Sequence, residues 1–369
     1  MERTEIAVVG GGMIGSAVAF GLARQGRQVL TLDQGDRDLR AARGNFGLIW
    51  VQGKGAGQPH YAAWTRHSAR LWPELADELL ARTGIDVEHE QPGGLLPCLS
   101  EPELAAETRL LTRINQEAQG DSPFQVLTGA ALKDAEPAIA ADIPGATYMP
   151  LDGQCNPLFL LHALHHAFQA LGGRYLPFHP VEEIQPQGGG FLLRTPKASI
   201  ACERVILAAG FGNLPLGAPL GLHQPVYPQR GQILVSEKLD PLLRHTGIYA
   251  RQTRAGGVMM GDSKERVRFN DGTAVRVQAE IAQRALRIYP CLAQVQVVRT
   301  WGALRVLTPD GLPIYEQSAQ FPGAYGLTSH SGVTLAAAHA LTLPDWLLGQ
   351  AAPRLDFHAF ESQRFKEAG

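Results

Sequence analysis

The segment Glu5–Gly15, EIAVVGGGMIG, constrains what this chain can fold into more than any other stretch. An apolar run enters it, a small-residue run Ser16–Gln25 leaves it, and Gly10, Gly12 and Gly15 fall at GxGxxG spacing. The next apolar run, VLTLDQ, ends on Asp33, 18 residues after Gly15, close to the separation a ribose-binding acid needs. Gly10 permits a tight strand-to-helix turn, Gly12 has no Cβ to keep a pyrophosphate off the backbone, and Gly15 lets helix and strand approach. Phosphates would then face free N–H groups at the positive end of a helix. The expectation is a dinucleotide held by Gly10, Gly12, Met13, Ile14, Gly15, Asp33 and Gln34. This fingerprint by itself leaves NAD and FAD both open.

With 369 residues, 45% of them hydrophobic and 18% charged, the chain has room for two domains or for one large α/β unit with an inserted layer. The net charge of −2 and the mixing of signs provide no basic stripe for nucleic acid and no polybasic membrane patch. Small-molecule partners are favoured. The run Ile6–Ala23 is uncharged for 18 residues, but it contains the three fingerprint glycines. The MERTE before it has the wrong charge balance for a signal peptide. No transmembrane segment is expected, and the expected location is cytoplasmic. Cys98, Cys155, Cys202 and Cys291 lie far apart, without CxxC or zinc-finger spacing, so reduced thiols are expected and no metal centre.

Further along, Ala42–Gly57 mixes glycines, basic and apolar residues without a period, as ligand-wrapping backbone does. Apolar spacing predicts surface helices over His60–Arg82 and Glu103–Gln119, and Asn156 with Pro157 predicts a helix start for Leu158–Leu171. His162, His165 and His166 on that helix lie among Leu158, Leu161, Leu164 and Phe168 and are read as ordinary helix residues, not metal ligands. Strands are predicted over Val181–Gln185, Phe191–Thr195 and Ser199–Ala209, the last an apolar run suited to a sheet covered on both faces. From Pro225 to Arg268 the pattern becomes all-β, with QILVSE, GIYARQT and VMMGDS. A helix follows at Val275–Tyr289, and the end of the chain carries GALRVLTPDGLPIY and AYGLTSHSGVTLAAAHAL, the second again glycine followed by a small-residue helix.

With VVGGGMIG, VILAAG, PQRGQILV, GALRVLTPDGLPIY and SHSGVTLAAAHA in this order, the chain resembles the D-amino acid oxidase superfamily over nearly its whole length. GNFGLIWVQGKG, TPDGLPIY and SHSGVTLA look like the flavin subunits of opine and D-hydroxyproline dehydrogenases. Hydrogen cyanide synthase, glycine oxidase and sarcosine oxidase are more distant look-alikes. The resemblance implies an α/β fold, a Rossmann-like FAD-binding domain with an inserted antiparallel β-sheet substrate domain. The division it implies is 1–84, 150–217 and 302–369 for FAD, and 85–149 and 218–301 for substrate. It further implies that Gly332, Val333 and Thr334 stabilise the flavin ring, that Val181 meets the adenine, and that Arg43, Asn45, Phe46, Gly47 and Leu48 wrap the pyrophosphate and ring edge. Ala209, Gly210 and Gly302 complete the expected FAD contacts. Sarcosine oxidases attach flavin through a cysteine where this chain has Ala303, so non-covalent FAD is expected.

An amino acid oxidised by flavin needs its carboxylate fixed, its nitrogen neutral and its Cα–H aimed at the ring. Arg305 matches the family's carboxylate-binding arginine, and a guanidinium grips a carboxylate bidentately, although Val306 replaces the usual proline. Tyr249 stands where glycine oxidase-like chains place a substrate-contacting tyrosine, and Arg251 would share its strand face. His330 takes the place of a second arginine and would titrate near neutral pH. Lys54 completes the candidates, facing pocket or solvent. The expected activity is oxidation of the C–N bond of a secondary amino or imino acid. The expected setting is a hetero-oligomer whose partner subunits carry an iron–sulfur cluster and a second flavin or nucleotide site. The rival readings are a self-sufficient oxidase using O₂ and a non-catalytic flavin-bearing scaffold.

Overall fold

The computed structural model describes residues 2–35, 41–350 and 356–365. Its principal sheet has eight strands. The first strand, Glu2–Val9, runs parallel to Val29–Leu32 on one side and to Ser199–Leu207 on the other. Arg174–Leu176 extends the sheet beyond Val29–Leu32, and Ala324–Thr328 extends it beyond Ser199–Leu207. An antiparallel edge strand, Ile314–Gln317, and the hairpin Glu183–Gln187/Gly190–Arg194 complete it.

Both faces are covered, which is why the central strands read as unbroken apolar runs. On one face the helix Met13–Arg24 packs with the helices Pro59–Thr83, Pro157–Ala170 and Ala336–Leu341. Trp64, Trp72, Leu75 and Leu79 recur at helical spacing on Pro59–Thr83 and are completely buried. Each such side chain contributes about 1.5–3 kcal/mol through burial. On the other face Phe191, Leu193, Leu220 and Leu222 cover Ala7, Val9 and Leu30. The Asn156 side chain caps its helix as expected, accepting from the Leu158 and Phe159 N–H groups at 3.2 Å.

A second, five-stranded sheet is built on Tyr227–Lys238, which pairs antiparallel with Val297–Leu307 on one side and with Gly257–Met260 on the other. The helix Val275–Ile288 closes it through Ile281, Ala285 and Ile288, joined by Leu95 and Ala146 of a three-stranded sheet. The expected change from doubly covered sheet to antiparallel insert is present.

Several boundaries differ from expectation. Val181 precedes its strand, which begins at Glu183. The strand expected over GIYARQT is reduced to Ala250–Gln252, leaving Tyr249 outside it. Strand Val297–Leu307 crosses residue 302 unbroken, so a division there falls inside one hydrogen-bonded element. The last small-residue helix begins at Ala336, after a turn over 332–335. Cys98, Cys155 and Cys202 are buried free thiols and Cys291 is exposed. Among the described residues no group of side chains could hold a metal ion. No described helix is long and apolar enough to cross a membrane.

Candidate active site

The glycine turn has the geometry its spacing demands. Gly10 has φ of +111°, and a Cβ there would lie 2.4 Å from the Ala208 carbonyl oxygen. At Gly15 a Cβ would lie 1.9 Å from the Gly10 carbonyl oxygen, so these two glycines are required by the protein's own backbone. Gly12 differs: the nearest described atom to a Cβ there is Ala42 Cβ at 3.9 Å. It faces a space that the protein leaves open. Asp33 ends the second strand buried, accepting from the Gly11 N–H at 2.8 Å and the Gly35 N–H at 2.7 Å, with Gln34 exposed beside it. Met13 and Ile14 begin the helix that leaves the turn.

His165 was not singled out by the sequence for this role. Its Nε2 lies 2.8 Å from Ser16 Oγ and 3.1 Å from the Gly11 carbonyl oxygen, and its ring stacks on Tyr175. It holds the far side of the turn. His162 and His166 meet edge to face at 4.3 Å between ring centroids, as two histidines one helical turn apart can.

The carboxy-terminal motif returns to this turn. A Cβ on Gly332 would lie 3.3 Å from Met13 Cβ. Among the described residues the N–H groups of Gly332, Val333 and Thr334 find no hydrogen-bond acceptor. They are donors left for a ligand, because buried N–H groups in folded proteins are otherwise paired. The helix behind them, Ala336–Leu341, is short, so these N–H groups themselves, more than an extended helix dipole, supply the positive end.

The wrapping segment is fastened from every side. Trp301 Nε1 donates to the Gly44 carbonyl at 3.2 Å, and Asn45 Oδ1 accepts from the Gly47 N–H at 2.6 Å. Arg251 Nε donates to the Phe46 carbonyl, Cys155 N–H to the Gly47 carbonyl at 2.9 Å, and Thr334 Oγ1 to the Leu48 carbonyl at 3.3 Å. Arg43 stands exposed at its start. Val181 lies in the loop beyond Arg174–Leu176, and Gly210, with φ of +59°, follows Ala209 at the end of Ser199–Leu207.

Two expected contacts are corrected. Gly302 faces away from the wrapping segment: a Cβ there would lie 2.5 Å from the Asp271 carbonyl oxygen. Side chains alternate along a strand, and its neighbours Trp301 and Ala303 are the ones that meet Gly44. Arg251 is taken up by the wrapping segment. It is buried against Phe46 and Gln154, and burial lowers its pKa to about 10. Its donors are used to shape the wrap. Tyr249, off the strand, lies 3.9 Å from the Arg284 guanidinium by ring centroid, and burial raises its hydroxyl to about 12, with Asp262 adding to the rise.

Arg305, by contrast, lies on the same face as Ala303. Its guanidinium is seated flat over Gly231, where a Cβ would come within 2.7 Å of it. Nη1 donates to the Ser263 carbonyl at 2.7 Å and Nη2 to Asp262 Oδ1 at 2.7 Å. Val306, in place of proline, continues the strand opposite Pro228 and touches the open face of Gly210.

Lys54 comes to the same centre from the wrapping segment. Its Nζ donates to Ser331 Oγ at 2.9 Å and Thr334 Oγ1 at 3.1 Å. Ser331 Oγ is also 2.8 Å from the Tyr61 hydroxyl. Burial lowers Lys54 to about 7, against the pull of the fully buried Asp152. Burial in turn raises Asp152, opposed by the Val51 and Gln52 N–H groups and the Gln52 amide.

The His330 side chain keeps solvent-accessible surface although many protein atoms lie around it. Burial, then the charges of Lys54, Arg305 and Lys264, lower its pKa to about 3. It is therefore held neutral near pH 7, in contrast to the titration near neutral pH expected of it. Lys54, Arg305 and Lys264 are thus near enough to His330 for their charges to disfavour its protonation.

Residues 5–346 match the family of FAD-dependent oxidoreductases called DAO. The chain belongs to the DAO family. It is 43% identical over 99% of its length, and 98% of the relative's, to the opine oxidase B subunit of Agrobacterium tumefaciens (strain Ach5). It is 42% identical over the same shares to the opine oxidase B subunit of Rhizobium meliloti. The crystal structure of glycine oxidase from Geobacillus kaustophilus superposes with a TM-score of 0.91 at 27% identity, covering 98% of both chains. The protein is accordingly an FAD-dependent oxidoreductase acting on amino acids. Its structure fits FAD in three respects: the open face of Gly12, the unpaired N–H groups at Gly332–Thr334 and the carboxylate of Asp33 beside the turn.

Proposed function

We propose that the protein oxidises the C–N bond of a secondary amino or imino acid, of opine or D-hydroxyproline type, to an imine. The observation that supports this is the placement of Lys54 on Ser331 and Thr334, beside the Gly332–Thr334 donors, with Arg305 near enough for its charge to bear on His330. When bound, FAD supplies the acceptor for the hydride that leaves Cα while the nitrogen lone pair forms the C=N bond. The side chains do the rest. Arg305 holds the substrate carboxylate, His330 offers a neutral hydrogen-bonding edge, and Lys54 exchanges a proton near neutral pH beside Ser331 and Thr334. The segments 1–84 and 150–217, with the chain beyond Leu307, form the FAD-binding part, and the insert forms the roof over the substrate.

The FAD is non-covalent, with Ala303 packed directly on Gly44; acid precipitation should leave the flavin in solution. The opine oxidase B subunit is by name one part of an assembly, and partner subunits carrying an iron–sulfur cluster and a second flavin or nucleotide site would receive the electrons here. The decisive experiment is anaerobic mixing with nopaline, octopine, D-hydroxyproline, D-proline, sarcosine and glycine while flavin absorbance is followed. Rapid bleaching by an opine or D-hydroxyproline, faster than by glycine, is expected. Bleaching by glycine alone would replace this reading with that of a glycine oxidase.

A further inference from the structure

Arg305 is already holding a carboxylate. Asp262 Oδ1 lies 2.7 Å from its Nη2, on a turn whose Ser263 carbonyl takes Nη1 at 2.7 Å. That turn is anchored to the neighbouring strand by Ser263 Oγ, which accepts from the Gln232 N–H at 2.8 Å. The other carboxylate oxygen, Asp262 Oδ2, lies 3.1 Å from Lys264 Nζ. Asp262 is partly exposed, and a cleft of about 300 Å³ opens on the same turn, between Asp262, Lys264 and the helix residues Val277 and Ile281.

From this geometry we infer that Asp262 is a specificity-determining residue, an internal carboxylate that occupies the clamp until the substrate carboxylate displaces it. The inference rests on the reading of Arg305 as the substrate clamp. The exchange is balanced in charge: one carboxylate leaves the guanidinium as another arrives, and Asp262 keeps Lys264 as its counter-ion. A bare guanidinium in a confined pocket would grip any small anion. With Asp262 in place, an incoming acid gains only the difference between two similar ion pairs. The remaining affinity must then come from the rest of the molecule. The clamp is thereby set against small monocarboxylates, which have little else to bind with, and toward larger carboxylic acids.

The test uses the FAD-loaded protein and acetate as probe, with binding read from the shift of the flavin visible spectrum. Asp262→Asn and Asp262→Ala should each bind acetate roughly tenfold or more tightly than the parent, since a like charge beside the bound anion is removed. Asp262→Glu should bind it as weakly as the parent. Arg305→Met should bind it least, and Asp262→Asn should give no gain in that background. FAD content and thermal midpoint identify a variant that has lost its fold, and the two neutral substitutions provide independent chances of a folded one. If both neutral variants bind acetate no more tightly than the parent while Arg305→Met loses binding, the internal-carboxylate inference is overturned and the clamp stands. If Arg305→Met binds acetate as the parent does, the clamp reading itself is wrong.

Discussion

The two halves of the site are made of different material. The dinucleotide turn is backbone: glycines pressed against carbonyls, N–H groups that find no acceptor among the described residues, and one carboxylate fastened by two N–H groups. The proposed substrate half is side chain: Arg305 from a strand, Asp262 from a turn, Lys54 from the wrap and His330 from the last loop. Backbone geometry tolerates almost no substitution, whereas a set of charges can be retuned one at a time. On the proposed reading, the first half serves flavin binding and the second the choice of substrate.

The largest effect should come from the turn, and it separates two glycines. Gly15→Val places a side chain into the Gly10 carbonyl and should abolish folding and flavin content together. Gly12→Val meets no such obstacle and should yield a folded chain without FAD. Circular dichroism and the flavin-to-protein absorbance ratio distinguish them. A Gly12→Val protein that keeps its full complement of flavin would mean that the open face of Gly12 is not the pyrophosphate site.

Next comes Arg305→Met. Losing a charge-assisted hydrogen-bond partner costs about 1.5–3 kcal/mol, so anaerobic flavin reduction by a carboxylate substrate should fall by roughly one to two powers of ten. Flavin content should stay as in the parent, because Arg305 contacts Gly231, Ser263 and Asp262 and no part of the turn. Lost flavin would erase the contrast between the two halves.

Smaller again is the response to pH. Lys54 is lowered to about 7, so it is charged below that pH and neutral above it, and the parent's flavin-reduction rate should change across pH 6–8. Lys54→Met should flatten this profile, and His330→Ala should keep it, since His330 stays neutral throughout. A profile that survives in Lys54→Met but vanishes in His330→Ala would reverse the assignment.

The smallest effect lies outside both halves. His339 is fully buried, 2.7 Å from the Tyr315 hydroxyl, and burial lowers its pKa to about 3. The unfolded chain binds a proton there near pH 6.5 and the folded chain does not. Stability from this residue is therefore present above about pH 6.5 and is lost as pH falls toward 3. Thermal midpoints of His339→Gln should depend less on pH over that window than those of the parent.

What the sequence disclosed follows the same division. The glycine spacing, Asp33 and the capped helix at Asn156 were legible because their local pattern carries the physics. Arg305 entered through resemblance. Asp262 was hidden inside an apparently continuous strand, VMMGDS, since nothing local says which cation a turn aspartate will meet across the fold. Arg251 misled for a related reason: alternation fixes a strand face, but Tyr249 is not on the strand, and what covers that face is the Phe46 carbonyl. Gly302 failed by one residue of strand alternation, which reverses the face. The titration expected of His330 near neutral pH was misjudged, because burial and then the charges of Lys54, Arg305 and Lys264, all far from it in sequence or hidden in the fold, hold its imidazole neutral.

The contact between Met13 and Gly332 has a bearing on how the protein is made. A ribosome finishes the glycine turn early and the Gly332–Thr334 donors late. Until the last segment emerges, the cofactor cradle has one wall. Ser331 and Thr334 must also find Lys54 across nearly the whole chain before that wall is fixed. Closing such distant contacts is slow compared with forming local helices. Capture of the flavin is thus a late event in the life of the nascent chain, and a protein cut short before Gly332 would leave the ribosome colourless however well its first strands had paired.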